Sequence, residues 1–203
     1  MKKILYIFVS SAILLACGSS SDEASTDLAE SLLEKATGLD VDMENLSNID
    51  EQKTTLNLNW ENEIPDEEFY SSVNMTNDIM GIVIKQDEFA ILINLYRHEG
   101  SFSTPIDAEV TNTESPEVTA NVSIQDYAAM ANGSTDAMFL SQSGHVRVTS
   151  LSKKNLAIEL DNVKLASPAT VEDETNWKTL SGTIEVAYPM LTAHGTDLDE
   201  IIE

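Results

Sequence analysis

From residue 55 onward the apolar residues of this chain recur at every second position. Thr55-Leu56-Asn57-Leu58-Asn59-Trp60 alternates without a break, as a strand with one buried face does. Phe69 to Met75 reads as a second strand. Ile79 to Ile84 and Phe89 to Tyr96 are apolar on both faces, with Gln86-Asp87 between them as a tight turn. These two strands are expected at the centre of the core. A polar loop follows from Thr104 to Pro116, then a strand from Glu117 to Ile124. Asp126 to Asn132 has the make-up of a short helical turn, capped by Asp126 and stopped by Gly133. A further hairpin joins His145–Leu151 to Leu156–Leu165 around Ser152-Lys153-Lys154-Asn155. Its Val146 and Val148 face Leu156, Ile158 and Leu160. The inward set then shifts to Val163 and Leu165, which predicts a bulge near Asp161-Asn162. Leu180, Ile184, Val186 and Tyr188 mark the last strand.

About eight or nine short strands separated by turn signals specify a mainly β chain, an antiparallel β-sandwich or open barrel. No strand-helix-strand alternation argues for a parallel sheet. One N-terminal α-helix precedes the strands: Leu28, Leu32 and Leu33 share a helical face, Ser25 or Thr26 caps it, and Gly38 ends it. Hydrophobic residues make up 42% of the chain, enough for a core and too many for wholesale disorder.

Charge narrows the partners. With 11 Lys and Arg against 35 Asp and Glu, the formal net charge is −24. Nucleic acid is excluded, because phosphate-backbone binding draws on a surplus of basic side chains. One Cys in 203 residues permits neither an internal disulfide framework nor a Cys-based zinc site. His98, His145 and His194 are widely spaced and give no zinc signature.

The N-terminus sets the address. Lys2 and Lys3 precede an apolar run, Ile4 to Leu15, interrupted only by Ser10 and Ser11. The run is shorter than the roughly 20 apolar residues that span a bilayer, and its length suits the core of a secretory signal. It ends in Leu14-Leu15-Ala16-Cys17-Gly18. This segment resembles the lipobox of bacterial lipoproteins, and the chain is otherwise similar in layout to small outer-membrane lipoproteins. An ordinary secretory signal with a Cys beside its cleavage site is the plainer alternative. Three features favour the lipoprotein: the basic start, the short apolar run and the only Cys of the chain placed at its end.

The resemblance implies a signal peptide over 1–16, cleavage between Ala16 and Cys17, and a diacylglycerol thioether with added acyl chains (palmitate among them) on Cys17. It also implies that the lipid bilayer is a partner through this anchor. Gly18, where Asp would favour the inner membrane, implies an outer-membrane location, on the periplasmic face or the cell surface. Ser19-Ser20-Ser21-Asp22-Glu23 resembles the short Ser/acidic surface-export tag of some Bacteroidota, and equally a flexible tether. Cleavage would remove Lys2 and Lys3 and leave 9 − 35 = −26. Several acyl chains would then hold a body that an anionic leaflet repels. A tether over 17–25 reaches about 15 Å, past the Debye length of about 8 Å. The expected organisation is the signal over 1–16, the lipidated tether over 17–25, a helix over 26–38, an all-β domain over 39–188 and an acidic, loosely held tail over 189–203.

Chemistry is scarcer. The chain has no Gly-rich phosphate loop and no Gly-x-Ser-x-Gly elbow. Ser141-Gln142-Ser143-Gly144-His145 puts a Ser and a His on one strand face, but no carboxylate near in sequence orients the His. Asp66-Glu67-Glu68 and Glu172-Asp173-Glu174 read as solvated loop charge. Asp40-x-Asp42-x-Glu44 with Asn48 and Glu51 is similar to an EF-hand calcium loop. Asn45 replaces its turn Gly, Ser47 its apolar residue, and strand follows where a helix should exit. The competing reading is a short edge strand with Leu39, Val41 and Met43 inward and charge outward. Asn45, Asn74, Asn121 and Asn132 open Asn-x-Ser/Thr triplets, read as chance in a bacterial chain. No catalytic residue and no cofactor besides the Cys17 lipid and this calcium candidate are expected. The functional expectation is a non-catalytic binding or structural module for a protein or glycan ligand, against a carboxylate-using hydrolase or a subunit of an envelope complex.

Overall fold

The computed structural model describes residues 39–41, 49–62, 64–65, 68–97, 102–111, 118–195 and 198. The expected signal, tether and helix over 1–38 lie outside them. The strands are β1 (Leu39–Val41), β2 (Lys53–Asn59), β3 (Tyr70–Met75), β4 (Ile79–Lys85), β5 (Phe89–Tyr96), β6 (Ile106–Val110), β7 (Thr119–Asp126), β8 (Met138–Ser152), β9 (Asn155–Ala166), β10 (Lys178–Ala187) and β11 (Met190–His194). One short helix, α1 (Tyr127–Ala131), follows β7. Its cap is the expected one: the Asp126 carboxylate accepts from the Ala129 N–H at 2.8 Å.

All eleven strands form one sheet, in the order β1-β11-β3-β4-β5-β7-β6-β8-β9-β10-β2. The pairings are antiparallel except β11 with β3 and β6 with β7, which are parallel. The sheet curls until its last strand returns to β3, an open barrel in which side chains replace a closing ladder. The Gln52 carboxamide behaves there like a peptide group of a neighbouring strand. Its Nε2 donates to the Ser71 carbonyl at 2.9 Å and its Oε1 accepts from the Ser71 N–H at 2.7 Å. Nε2 also donates to the Tyr188 carbonyl at 3.0 Å, and Thr54 Oγ1 shares a hydrogen bond with Ser71 Oγ at 2.8 Å.

Curling buries one face of every long strand in a single core. The two strands that read as apolar throughout supply its middle: Ile82 and Ile84 of β4, Ile91, Ile93 and Leu95 of β5, all 0–1% exposed. The second hairpin adopts the expected register, Val146 opposite Leu160 and Val148 opposite Ile158. The bulge is also where the pattern shift put it. Val163 pairs with Leu180 and Leu160 with Gly182, so Asp161 and Asn162 face Ser181 alone. Asn162 takes φ 49° to make the kink. Gly182 sits opposite at φ 133°, where a side chain would collide with the Asn57 backbone of β2.

Two expectations are corrected. The stretch from Thr104 to Pro116 is not loop throughout. Ile106, Ala108 and Val110 are buried while Asp107 and Glu109 point out. This β6 fills a wedge: β7 pairs with β8 directly at Ser123–Gln125, then the two splay and β6 enters between them. The segment beyond Pro189 is not a loose tail up to His194. It forms β11, with Leu191 and Ala193 at 0% and 1% exposed, and Leu198 is buried beyond it. The backbone entropy that a short strand loses is offset when a preformed sheet supplies both its ladder and the surface that covers its apolar face.

Candidate functional site

Strand alternation sends every second residue of this barrel to its outer wall, and the wall divides into two unlike halves. On β6, β8, β9 and β10 it is acidic. Asp107, Arg147 and Glu159 are cross-strand neighbours, as are Glu109, His145 and Asp161, with Glu185 further along. The Arg147 guanidinium lies 3.8 Å from Asp107 and 4.0 Å from Glu159. All three side chains are well exposed, so each pair contributes about 0–1 kcal/mol.

Among the described residues this half contains a near-approach to a catalytic arrangement. Ser143 and His145 are both exposed on β8, and the fold sets two carboxylates, Glu109 and Asp161, opposite His145, which spacing along the chain does not reveal. Among the described residues no hydrogen bond joins Ser143 to His145, and no ion pair joins His145 to either carboxylate. The Gly144 between them sits at φ 125°, with the Val163 backbone where a Cβ would be. Ser141 is buried and structural, its Oγ accepting from the Val122 N–H at 2.8 Å.

On β3, β4, β5, β7 and β11 the outer wall carries no Asp or Glu. Its central row runs Thr192-Asn74-Gly81-Asn94-Asn121, each residue opposite the next in the ladder. Thr192 Oγ1 donates to Asn74 Oδ1 at 2.6 Å. Among the described residues the side-chain amides of Asn94 and Asn121 take part in no hydrogen bond. Ile79 and Tyr96 border the row on one side, Val83 and Leu92 on the other. The alternation itself is legible in the sequence. That four separate strands align their Asn residues and Gly is not.

One end of the barrel is closed by aromatic rings. Trp60 meets Phe139 edge to face at 5.4 Å, and Phe69 meets Phe89 at 6.2 Å. The Lys178 ammonium lies 4.8 Å from the Phe139 centroid and 5.9 Å from Trp60, and donates to Asn62 Oδ1. Among the described residues the buried Trp60 indole N–H has no hydrogen-bond partner.

No protein-family model, no curated protein and no solved structure matches this chain.

The remaining candidates fall as follows. Cys17, with Leu14, Leu15 and Ala16, lies outside the described residues. So do Asp42, Glu44 and Asn48 of the calcium candidate. The backbone of Asp40 is in β1, at the free edge of the sheet, and Glu51 is exposed in a 3-10 turn over Ile49–Glu51. Among the described residues no three His, Cys, Asp or Glu side chains converge as metal ligands would. Asp173 is exposed, as read from the sequence, and also caps a turn. Its carboxylate accepts from Thr175 Oγ1 at 2.6 Å, the Thr175 N–H at 3.1 Å and Asn176 Nδ2 at 2.7 Å. The Thr175 hydroxyl first, then the Thr175 amide, hold its pKa below the usual aspartate value. These bonds cap the turn over Glu174–Asn176, a structural duty. Among the described residues no helix is long and apolar enough to cross a membrane.

Proposed function

We propose that the chain is a lipid-anchored bacterial lipoprotein of the outer membrane, whose β body is a non-catalytic binding or structural module. The observation that carries the anchor is Leu14-Leu15-Ala16-Cys17 at the end of a short apolar run, with the chain's single Cys at the acylation position. A binding or structural role draws support from the barrel wall. Among the described residues its exposed Ser, His and carboxylates are not joined into a nucleophile-base pair, whereas a continuous surface free of Asp and Glu crosses five strands.

The anchor is tested by fractionating cells that carry the parent or Cys17→Ser. The parent is expected in the outer membrane, with an acylated N-terminal Cys in its mass spectrum. The variant is expected to lose the acyl mass and to leave the membrane fraction. Equal membrane fractions and an unmodified parent thiol would remove the anchor and the location with it.

A further inference from the structure

We propose that the acid-free half of the wall is a platform for a neutral polysaccharide, laid across the strands along the Asn row. This rests on the reading of the body as a binding module and is independent of the anchor. Charge is the first argument. With 35 acidic residues among 203, five adjacent strands whose outward positions hold none are a marked segregation. Among the described strands the outward acids lie on the opposite half, at Asp107, Glu109, Glu159, Asp161 and Glu185, with others at turn tips such as Asp78 and Asp87. A neutral ligand on this half meets no carboxylate of the wall; an anion meets Lys85 at its border but the net charge of −24 beyond it, and a basic partner finds none of the attraction it would seek.

The row decides between the uncharged occupants. Asn74, Asn94 and Asn121 each offer a donor and an acceptor, and the Asn94 and Asn121 amides are not used within the described residues. Against a lipid surface, or the apolar centre of a dimer interface, these amides would be desolvated without partners, which is costly. A sugar chain brings hydroxyls, each both donor and acceptor, and satisfies them. Gly81 keeps the floor level. A side chain there would stand 3.3 Å from Asn94 Oδ1, in the middle of the track. Tyr96 and Ile79, 39% and 41% exposed, make an apolar border on which a ring face can rest. Five strands at about 4.8 Å spacing give a track of about 19 Å, long enough for a few sugar rings.

The test is affinity electrophoresis of the purified chain in native gels containing soluble α-glucan, β-glucan, β-mannan or β-xylan, with polygalacturonate as the anionic arm. At least one neutral polymer is expected to retard the chain, and polygalacturonate is not. Asn94→Ala with Asn121→Ala is expected to weaken that retardation about tenfold, the loss of two hydrogen bonds, at an unchanged urea midpoint. Glu159→Ala on the opposite wall is expected to leave it as it was. No retardation by any neutral polymer overturns the platform. So does retardation that the Asn substitutions do not weaken. Sedimentation showing a dimer that Leu92→Asp splits, without polysaccharide binding, would assign the wall to a second copy instead. An acylated chain that is not retarded loses the platform and keeps the anchor; a retarded chain without acyl groups does the reverse.

Discussion

Trp60 is 9% exposed and, among the described residues, its indole N–H has no acceptor. A buried donor left unpaired costs about 1–3 kcal/mol, and the ring contact with Phe139 and the Lys178 ammonium offsets it. The contact depends on an aromatic ring and not on the nitrogen. Trp60→Phe is therefore expected to change the unfolding free energy by less than about 1 kcal/mol, while Trp60→Ala costs about 3–5 kcal/mol. Urea denaturation of both variants measures this. Equal losses would mean that the N–H is satisfied after all. In the sequence Trp60 is simply the apolar end of an alternating run. Neither the missing acceptor nor the lysine over the rings follows from position, because Lys178 lies 118 residues later and reaches Trp60 only through sheet pairing.

At the scale of elements, the strands most legible in the sequence are those whose burial is strongest. β4 and β5 are uninterrupted apolar runs and take the centre of the core. The β8–β9 hairpin announces its register through Val146, Val148, Ile158 and Leu160. β6 escapes such a reading because its five residues, Ile-Asp-Ala-Glu-Val, lie in a polar stretch with a small Ala as the middle inward residue. β11 escapes it because its short run follows a proline and precedes acidic residues. Both are strands that a preformed sheet recruits. The seam between β2 and β3 is less legible still, since a single Gln before a strand carries no periodic signal. Gln52→Ala leaves the Ser71 N–H and carbonyl without their partner at a residue that is 3% exposed. The expected cost is about 1–3 kcal/mol, with faster hydrogen exchange at the Ser71 amide. A variant as stable and as protected as the parent would show that the seam does not depend on this side chain.

For the whole molecule, the excess of acid is the dominant long-range term. The acids on β6, β9 and β10 repel one another across an exposed wall, with Arg147 of β8 placed between Asp107 and Glu159. Salt shortens the range of that repulsion, from about 30 Å at 0.01 M to about 3 Å at 1 M, and self-repulsion destabilises a compact state. The melting temperature is expected to rise with sodium chloride over that interval. A flat or falling trend would mean that the acids are already neutralised by contacts other than the Arg147 pairs.

The sequence by itself determined the fold class, the two central strands, the main hairpin with its bulge and the Asp126 cap. Each is a local consequence of period, turn chemistry or capping, written within about 25 residues of chain. It also holds the whole case for the proposed anchor at Cys17, because the resemblance to a lipobox is read along a linear segment. Only the tertiary structure decided that the strands make one curled, open sheet whose ends are bridged by the Gln52 side chain. It alone recruited β6 and β11, and it alone separated an acidic wall from one free of acids. Those properties belong to pairings between residues as far apart as Asn74 and Thr192. Alternation fixes which side of a strand a residue faces, and the order of strands fixes what stands beside it.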